Sequence, residues 1–158
     1  MSALSKRYPL LSDFHTKLDT INVSEFTPLD FRLAIANQVE KDNLPMAEAL
    51  GEAGLSLYPD AEDVLVMAAL LAELREDWVA ADEYLEQLVE RQKQATPPTT
   101  WRHWIRVLRC NGEPAKAFAT ARKALAHYPE DAALRSEYLD LLVWLGGSVL
   151  APGSSLRQ

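Results

Sequence analysis

The chain contains a single cysteine, Cys110, among its 158 residues. This excludes an intrachain disulfide and a zinc site built from several cysteines, and it fits a reducing compartment. Long apolar runs are also missing, because the longest, residues 138–151, includes Asp140 and two glycines and is shorter than the roughly 18 residues of a membrane helix. Since no sustained apolar run follows Lys6 and Arg7, we expect a cytoplasmic protein without a signal peptide or membrane insertion.

Basic charge is scarce as well. The chain has 16 lysines and arginines against 23 aspartates and glutamates, for a formal net charge of -7. Proteins that bind nucleic acids usually present a basic surface, so we expect no nucleic-acid partner. The composition, 48% hydrophobic and 25% charged, is typical of a soluble globular protein, and the length suits one domain with its own core.

The sequence also lacks a recognisable set of catalytic groups. The three histidines, His15, His103 and His127, lie in different segments, and no glycine-rich phosphate loop is present. His103 and Cys110 are spaced to share one helix face, but two ligands are too few for a typical metal site. The acidic run at residues 81–90 is typical of a solvated helix face. We therefore predict a protein that is not an enzyme and has no metal or cofactor.

What the sequence does contain is an internal repeat. Residues 112–131, GEPAKAFATARKALAHYPED, correspond to residues 42–61, DNLPMAEALGEAGLSLYPDA. Residues 76–92, EDWVAADEYLEQLVERQ, show the same residue pattern but lack the tyrosine-proline pair near the end of the other two segments. Self-similarity of this kind predicts supersecondary units that stack on their neighbours.

The tyrosine-proline pairs define the register of the repeat. Alignment of Tyr58 with Tyr128 gives an offset of 70 residues, which is two periods of about 34 residues with a short insertion. We place that insertion at residues 96–98, which are rich in proline. The offset therefore predicts three units rather than two.

Each unit reads as two helices. In the third unit, apolar residues follow the i, i+3, i+4, i+7 spacing of one helical face, at Trp101, Trp104, Ile105 and Leu108. In the first unit, Thr27 before Pro28 is typical of a helix start. No segment shows sustained alternation of apolar and polar residues, so we expect no sheet.

This pattern resembles the tetratricopeptide repeat, in which large apolar residues, alanines, an aromatic residue and a proline recur at fixed positions. The third unit matches best and carries Trp101, Leu108, Ala117, Ala124 and Pro129. The family's small or aromatic positions are changed at Ile35, Gly51, Gly54, Ile105 and Ala121. The second unit lacks the closing proline. Other helical-hairpin solenoids remain an alternative.

The resemblance implies an all-α fold, a right-handed α-solenoid of helix-turn-helix hairpins. About three repeats are expected, at residues 28–61, 62–97 and 98–131. They form a single domain at residues 1–147, with an N-terminal helix at about residues 10–22 and a capping helix at residues 132–146. Residues 148–158 are predicted to be a flexible tail.

The resemblance also implies a non-catalytic module for protein-protein interaction, because the first helix of each tetratricopeptide unit lines a concave groove. We predict that this groove binds a peptide or a partner helix. Its lining is expected to consist of Arg32, Val66, Leu70, Glu73, Arg102, Arg106, Arg109 and Asp140. Chaperone-tail binding is not expected, because Arg32 and Ala36 do not match the lysine and asparagine of the family's carboxylate clamp.

Two interpretations of the arginines Arg102, Arg106 and Arg109 stay open. They suit an acidic partner, since a guanidinium donates paired hydrogen bonds to a carboxylate, or they pair with acidic residues of the second unit. Residues 62–97 carry three basic and nine acidic side chains, whereas residues 98–131 carry six basic and three acidic ones. This asymmetry is also compatible with head-to-tail association into a homo-oligomer.

The main alternative function is a self-associating structural or chaperone-like assembly factor, of the kind found in secretion systems or in pilus and envelope assembly. A metal-dependent enzyme is the least favoured alternative.

Overall fold

The computed structural model describes the backbone of residues 22–149 and the side chains of residues 22–146. Within this range the chain forms seven α-helices and no strand, with short 3-10 turns at Val23–Glu25 and Lys93–Ala95. The helices are α1 (Pro28–Glu40), α2 (Leu44–Leu57), α3 (Glu62–Leu74), α4 (Trp78–Gln92), α5 (Pro98–Cys110), α6 (Pro114–His127) and α7 (Ala132–Val149). The predicted all-α fold of helical hairpins is confirmed. None of these helices is both long enough and apolar enough to cross a membrane.

Local sequence explains where the helices begin. Thr27 accepts a hydrogen bond from the Asp30 backbone N–H, and the Asp30 carboxylate accepts one from the Thr27 N–H, which forms a capping box before α1. Asn43 and Asp77 cap α2 and α4 with one side-chain oxygen each, which accepts from the backbone N–H of Met46 and of Ala80. Capping of this kind satisfies N–H groups that have no partner within the helix.

The turn inside each repeat contains one residue with a left-handed backbone. These residues are Asp42 (φ 56°), Glu76 (φ 59°) and Gly112 (φ 72°). Only Gly112 adopts this conformation without a steric cost from a Cβ atom. The same position in three successive repeats therefore has the same conformation.

The chain divides between Arg75 and Glu76 into two compact units. From here on, the first unit is the part before this division and the second unit is the part after it, whereas the three sequence units are called repeats. In the first unit, α1 packs against α2 and α3, and α2 packs against α3. Its core consists of Phe26, Phe31, Ala34, Ile35, Met46, Ala47, Leu50, Val64, Met67 and Leu71. Burial of these side chains provides the main stabilisation of the three helices.

A glycine allows α2 and α3 to approach closely. A Cβ atom at Gly51 would lie 2.6 Å from Cδ1 of Leu71, which is 2% exposed. Gly51 occupies the position where the tetratricopeptide pattern has an aromatic residue. In this unit Leu71 fills the space instead, which is a physical reason for the departure seen in the sequence.

In the second unit, α5 packs against α4, α6 and α7, and α6 packs against α7. The alanines Ala117, Ala121 and Ala124 of α6 are completely buried, so that neighbouring helices lie close to its backbone. The largest completely buried side chains here are Trp101, Leu85, Leu88, Ile105, Leu108, Leu134 and Leu141. The predicted core face of α5 is confirmed.

Each of the two compact units contains, within itself, an equivalent hydrogen bond from a tyrosine hydroxyl to a backbone carbonyl. The hydroxyl of Tyr58 donates to the Phe26 carbonyl at 2.8 Å, and that of Tyr128 donates to the Thr96 carbonyl at 2.7 Å. Both donors and both acceptors are separated by the offset of 70 residues that was read from the sequence. Each tyrosine therefore ties the second helix of its hairpin to the segment before the first.

One predicted boundary is wrong. The last helix was expected to end at residue 146 before a flexible tail from residue 148, but α7 continues to Val149. Gly146 lacks the left-handed φ that ends many helices, which among the described glycines occurs at Gly112 alone. The predicted helix at residues 10–22 lies outside the described residues except for Asn22, and the rest of the tail lies outside them too. The division into one domain of three repeats stays a prediction.

Candidate functional site

The second unit contains a cavity of about 370 Å³ between α5 and α7. It is lined by Thr99, Arg102, His103 and Arg106 from α5 and by Glu137 from α7. The four α5 residues follow the spacing i, i+3, i+4, i+7, which places them on one helical face. Two of the eight predicted groove residues, Arg102 and Arg106, are therefore brought together here.

The amphipathic pattern of α5 explains this presentation. Trp101 and Ile105 are buried on the opposite face, at 2% and 0% exposure. Because the core holds that face, Arg102 and Arg106 extend towards the cavity. Arg102 is exposed and forms no ion pair within the described part of the chain. His103 and Arg106 each interact with neighbouring groups.

The third arginine is held by a carboxylate of the cavity wall. Nη1 of Arg109 lies 2.8 Å from Oε2 of Glu137, and the two side chains are 38% and 26% exposed. Of the two interpretations left open by the sequence, this contact resembles structural pairing, but its partner comes from α7 and not from the acidic second repeat. Half-exposed pairs of this type contribute little to stability.

Behind the cavity, a polar cluster connects three helices. Asp82 of α4, which is 8% exposed, accepts hydrogen bonds from the Trp104 indole nitrogen at 2.6 Å and from Nζ of Lys116 at 2.8 Å. The Lys116 ammonium also lies 5.8 Å from the centroid of the Trp104 ring, within the distance of a cation–π contact. We infer that Asp82 fixes the position of α5 relative to α4 and α6.

The pKa of Lys116 reflects this cluster. Partial burial lowers the pKa of the ammonium, but the hydrogen bond and charge of Asp82, with the charges of Glu86 and Glu113, outweigh that effect. The pKa of Lys116 is therefore raised above its ordinary value of 10.5.

The other predicted groove residues have different surroundings. In the first unit, Arg32 donates to Asp63 of α3 at 2.8 Å. Val66 and Leu70 are half-buried against the first-unit core, and Glu73 is half-buried and interacts with a neighbour. Asp140 is exposed on α7 and does not line the cavity.

Three cavity residues were not predicted to line the groove. Thr99 lies three positions before Arg102, and Glu137 lies three positions before Asp140, so helical spacing is a signal that points to both. His103 was considered only as a metal ligand. Across residues 22–149, no group of three or more histidine, cysteine, aspartate or glutamate side chains is arranged to hold a metal ion.

A second exposed feature is apolar and lies on α7. Leu139, Leu142, Val143 and Trp144 are exposed by 51%, 46%, 74% and 43%. In the first unit, the positions equivalent to Leu139 and Leu142 are alanines that are completely buried, Ala69 and Ala72. Exposed apolar patches of this kind are typical of interaction surfaces.

A family model of the tetratricopeptide repeat matches residues 35–149 of the chain. The match covers α2 to α7 and the last six residues of α1, and it therefore includes the cavity and the polar cluster behind it. No curated protein matches the chain.

Proposed function

Because the chain belongs to the tetratricopeptide repeat family, whose members act in general as protein-protein interaction modules, we propose that it is a non-catalytic adaptor. It binds a peptide or a partner helix in a concave groove, and the cavity between α5 and α7 is part of that groove. Apolar contacts supply most of the binding free energy, and the arginines determine the register and polarity of the partner.

The observation that carries this proposal is the pair of arginines in the cavity. Arg102 and Arg106 lie one turn apart on a helix whose other face is locked in the core. Both guanidinium groups reach the same cavity, so an anionic group that enters it meets two positive charges. A carboxylate suits the planar guanidinium donors, so the partner is an acidic protein or peptide.

A double charge reversal tests the proposal. The variant Arg102→Glu with Arg106→Glu is compared with Arg122→Glu with Lys123→Glu, which makes the same change in net charge at two exposed α6 positions. Each tagged protein is used for affinity purification from its native cells, followed by quantitative mass spectrometry. Circular dichroism and thermal unfolding verify that all forms are folded.

The expected result is a set of proteins that wild type and the α6 control retain and the cavity variant loses. Loss of at least tenfold is reasonable, because reversal replaces attraction by repulsion at a site where charge pairs are coupled. If the folded cavity variant retained the same proteins as wild type, the cavity would not be part of the binding groove.

A second candidate function, self-association, is favoured by the apolar surface of α7. Replacement of Leu139 and Val143 by serine should abolish a homo-oligomer that is held by this surface, because both side chains are more than half exposed. Light scattering over a concentration series measures the oligomeric state of wild type and variant. A wild-type protein that stays monomeric at high concentration would exclude this function.

A further inference from the structure

One face of α7 corresponds to a face that is covered on α5. The first residue of α7 lies 34 positions after the first residue of α5, which is one period of the repeat. In this register, Leu139 and Leu142 of α7 take the positions of Ile105 and Leu108 of α5. Ile105 and Leu108 are completely buried, whereas Leu139 and Leu142 are 51% and 46% exposed. This face of α7 is therefore as apolar as the covered face of α5 but is half exposed.

In the hairpins α1–α2 and α5–α6, the second helix meets the first with small residues. α6 packs against α5 and carries Ala117, Ala121 and Ala124, which are all completely buried. α2 packs against α1, and its Gly54 takes the position of Ala124 in the 70-residue register. A Cβ atom on Gly54 would lie 3.3 Å from Cγ of Phe31, which leaves little room for a side chain. Large side chains on the first helix of a hairpin therefore pair with small ones on the second.

The exposed face of α7 also continues an interface that exists within the second unit. The Tyr138 ring stacks on the Phe118 ring of α6, with the two centroids 5.0 Å apart. Leu142 follows Tyr138 by four positions, so these side chains are neighbours on the helix surface. Leu139 and Val143, one turn apart, extend the apolar surface away from α6, and Val143 is 74% exposed. The packed surface of α7 thus passes without a polar break into the exposed one.

We propose that the face of α7 formed by Leu139, Leu142 and Val143 binds a helix of a partner protein that presents a row of small residues. The partner helix completes a hairpin with α7, as α6 completes the hairpin that begins with α5. Its small residues recur at intervals of four and three, the spacing of the three buried alanines of α6, so that they share one helical face. This surface is separate from the proposed groove, because none of the three α7 residues lines the cavity.

The small-residue rows of a second copy of this chain are not free to serve as this partner. On α6, all three alanines of the row are completely buried, and on α2 both Ala47 and Gly54 are buried as well. A second copy would have to open one of its own hairpins before it could present such a row. The occupant is therefore a helix of a different protein, and self-association through α7 is the alternative that the experiment distinguishes.

Two peptides and two pairs of substitutions test this inference. The first peptide, acetyl-EPAKAFATARKALAHY-amide, has the sequence of residues 113–128 and carries the alanine row. The second has glutamine in place of the three alanines of the row, which keeps the charge and a good helix propensity but adds bulk and polarity. Each peptide is titrated into isotope-labelled full-length protein, and NMR identifies the amide signals that shift.

The alanine peptide should shift amide signals of α7 in the wild-type protein, and the glutamine peptide should bind about tenfold more weakly or less. Leu139→Ser with Leu142→Ser should weaken binding of the alanine peptide about tenfold or more, because two leucines lose the apolar surface that the peptide buries. The matched control is Leu57→Ser with Leu74→Ser, the same change at first-unit side chains that are 44% and 45% exposed. It should bind the alanine peptide like wild type.

Several results would overturn the inference. Wild type that binds neither peptide, or both equally well, excludes a preference of α7 for small residues. Binding that persists in the folded α7 variant, or shifts confined to α5, places the peptide elsewhere, in the second case at the position of α6. Sedimentation of the proteins without peptide tests the alternative, because a wild-type oligomer that the α7 variant abolishes would assign this face to a second copy. Circular dichroism and thermal unfolding verify that both variants are folded.

Discussion

Replacement of Asp82 by alanine should destabilise the protein by about 1–4 kcal/mol, because it leaves a buried donor without an acceptor and removes an ion pair. Asp82 accepts hydrogen bonds from Trp104 at 2.6 Å and from Lys116 at 2.8 Å. Trp104 is 7% exposed, so its indole N–H would find little water in place of the lost carboxylate. Alanine is a good helix former, so the substitution does not weaken α4 itself.

The magnitude follows from the two bonds taken separately. A buried donor left unsatisfied costs about 1–3 kcal/mol, and Trp104 supplies this larger part. The Lys116 side chain is 36% exposed, so solvent screening reduces its ion pair to about 1 kcal/mol or less. For a chain of this length, each 1 kcal/mol corresponds to a shift of about 2–4 °C in the melting temperature.

Chemical denaturation followed by circular dichroism measures this loss, with Glu83→Ala as the control at an exposed neighbouring position of α4. The Trp104→Phe substitution keeps an aromatic ring but removes the donor, so it completes a double-mutant cycle with Asp82→Ala. The two substitutions should be coupled by about 1 kcal/mol or more. A loss no larger than that of the control, or additive single effects, would refute the assignment of Asp82 as the residue that holds α5 in position.

Further predictions concern the repeated tyrosines and the pH dependence of stability. Removal of one hydroxyl, in Tyr58→Phe or Tyr128→Phe, should cost about 0.5–1.5 kcal/mol in the free energy of unfolding, because each donates to a backbone carbonyl in a corresponding position of its unit. Tyr84→Phe, whose hydroxyl has no hydrogen bond among the described residues, should cost less, and equal losses in urea titrations of all three variants would contradict the role of these bonds. Since the folded-state pKa of Lys116 is raised above 10.5, its contribution is fully present below that pH and is lost as the pH rises through the raised value. The difference in stability between wild type and Lys116→Met should therefore stay constant from about pH 7 to 9 and decrease in strongly alkaline buffer, and a decrease that begins near neutral pH would exclude this linkage.

Local features of the structure were the most predictable from the sequence. Thr27 and Pro28 correctly indicated the start of α1, because capping depends on residues within one turn. The apolar spacing in α5 correctly identified Trp101 and Ile105 as core, because helical periodicity alone determines which residues share a face. The end of α7 was predicted less well, since Gly146 permits a helix to end without requiring it.

The candidate site was only partly predictable, because local periodicity identifies the face of a helix but not the groups that this face meets on another helix. Arg102 and Arg106 were identified as one polar face of α5, and the structure places both at the cavity. Helical spacing from Asp140 placed Glu137 on the same face of α7, but its contact with Arg109 spans 28 positions of sequence and was not predictable from a local pattern. Asp140, on the same helix, does not line the cavity, and its place in the groove stays a prediction.

The sequence by itself determined the all-α class, the 70-residue register of the repeat and the two faces of α5, because all three follow from periodicity and local capping. Only the tertiary structure decided how the polar face is used. The packing of α5 against α7, with Leu134 and Leu141 completely buried, brings Glu137 to Arg109. The physical reason is that burial of apolar surface determines how helices pack, and charged side chains on their outer faces meet as a consequence of that packing.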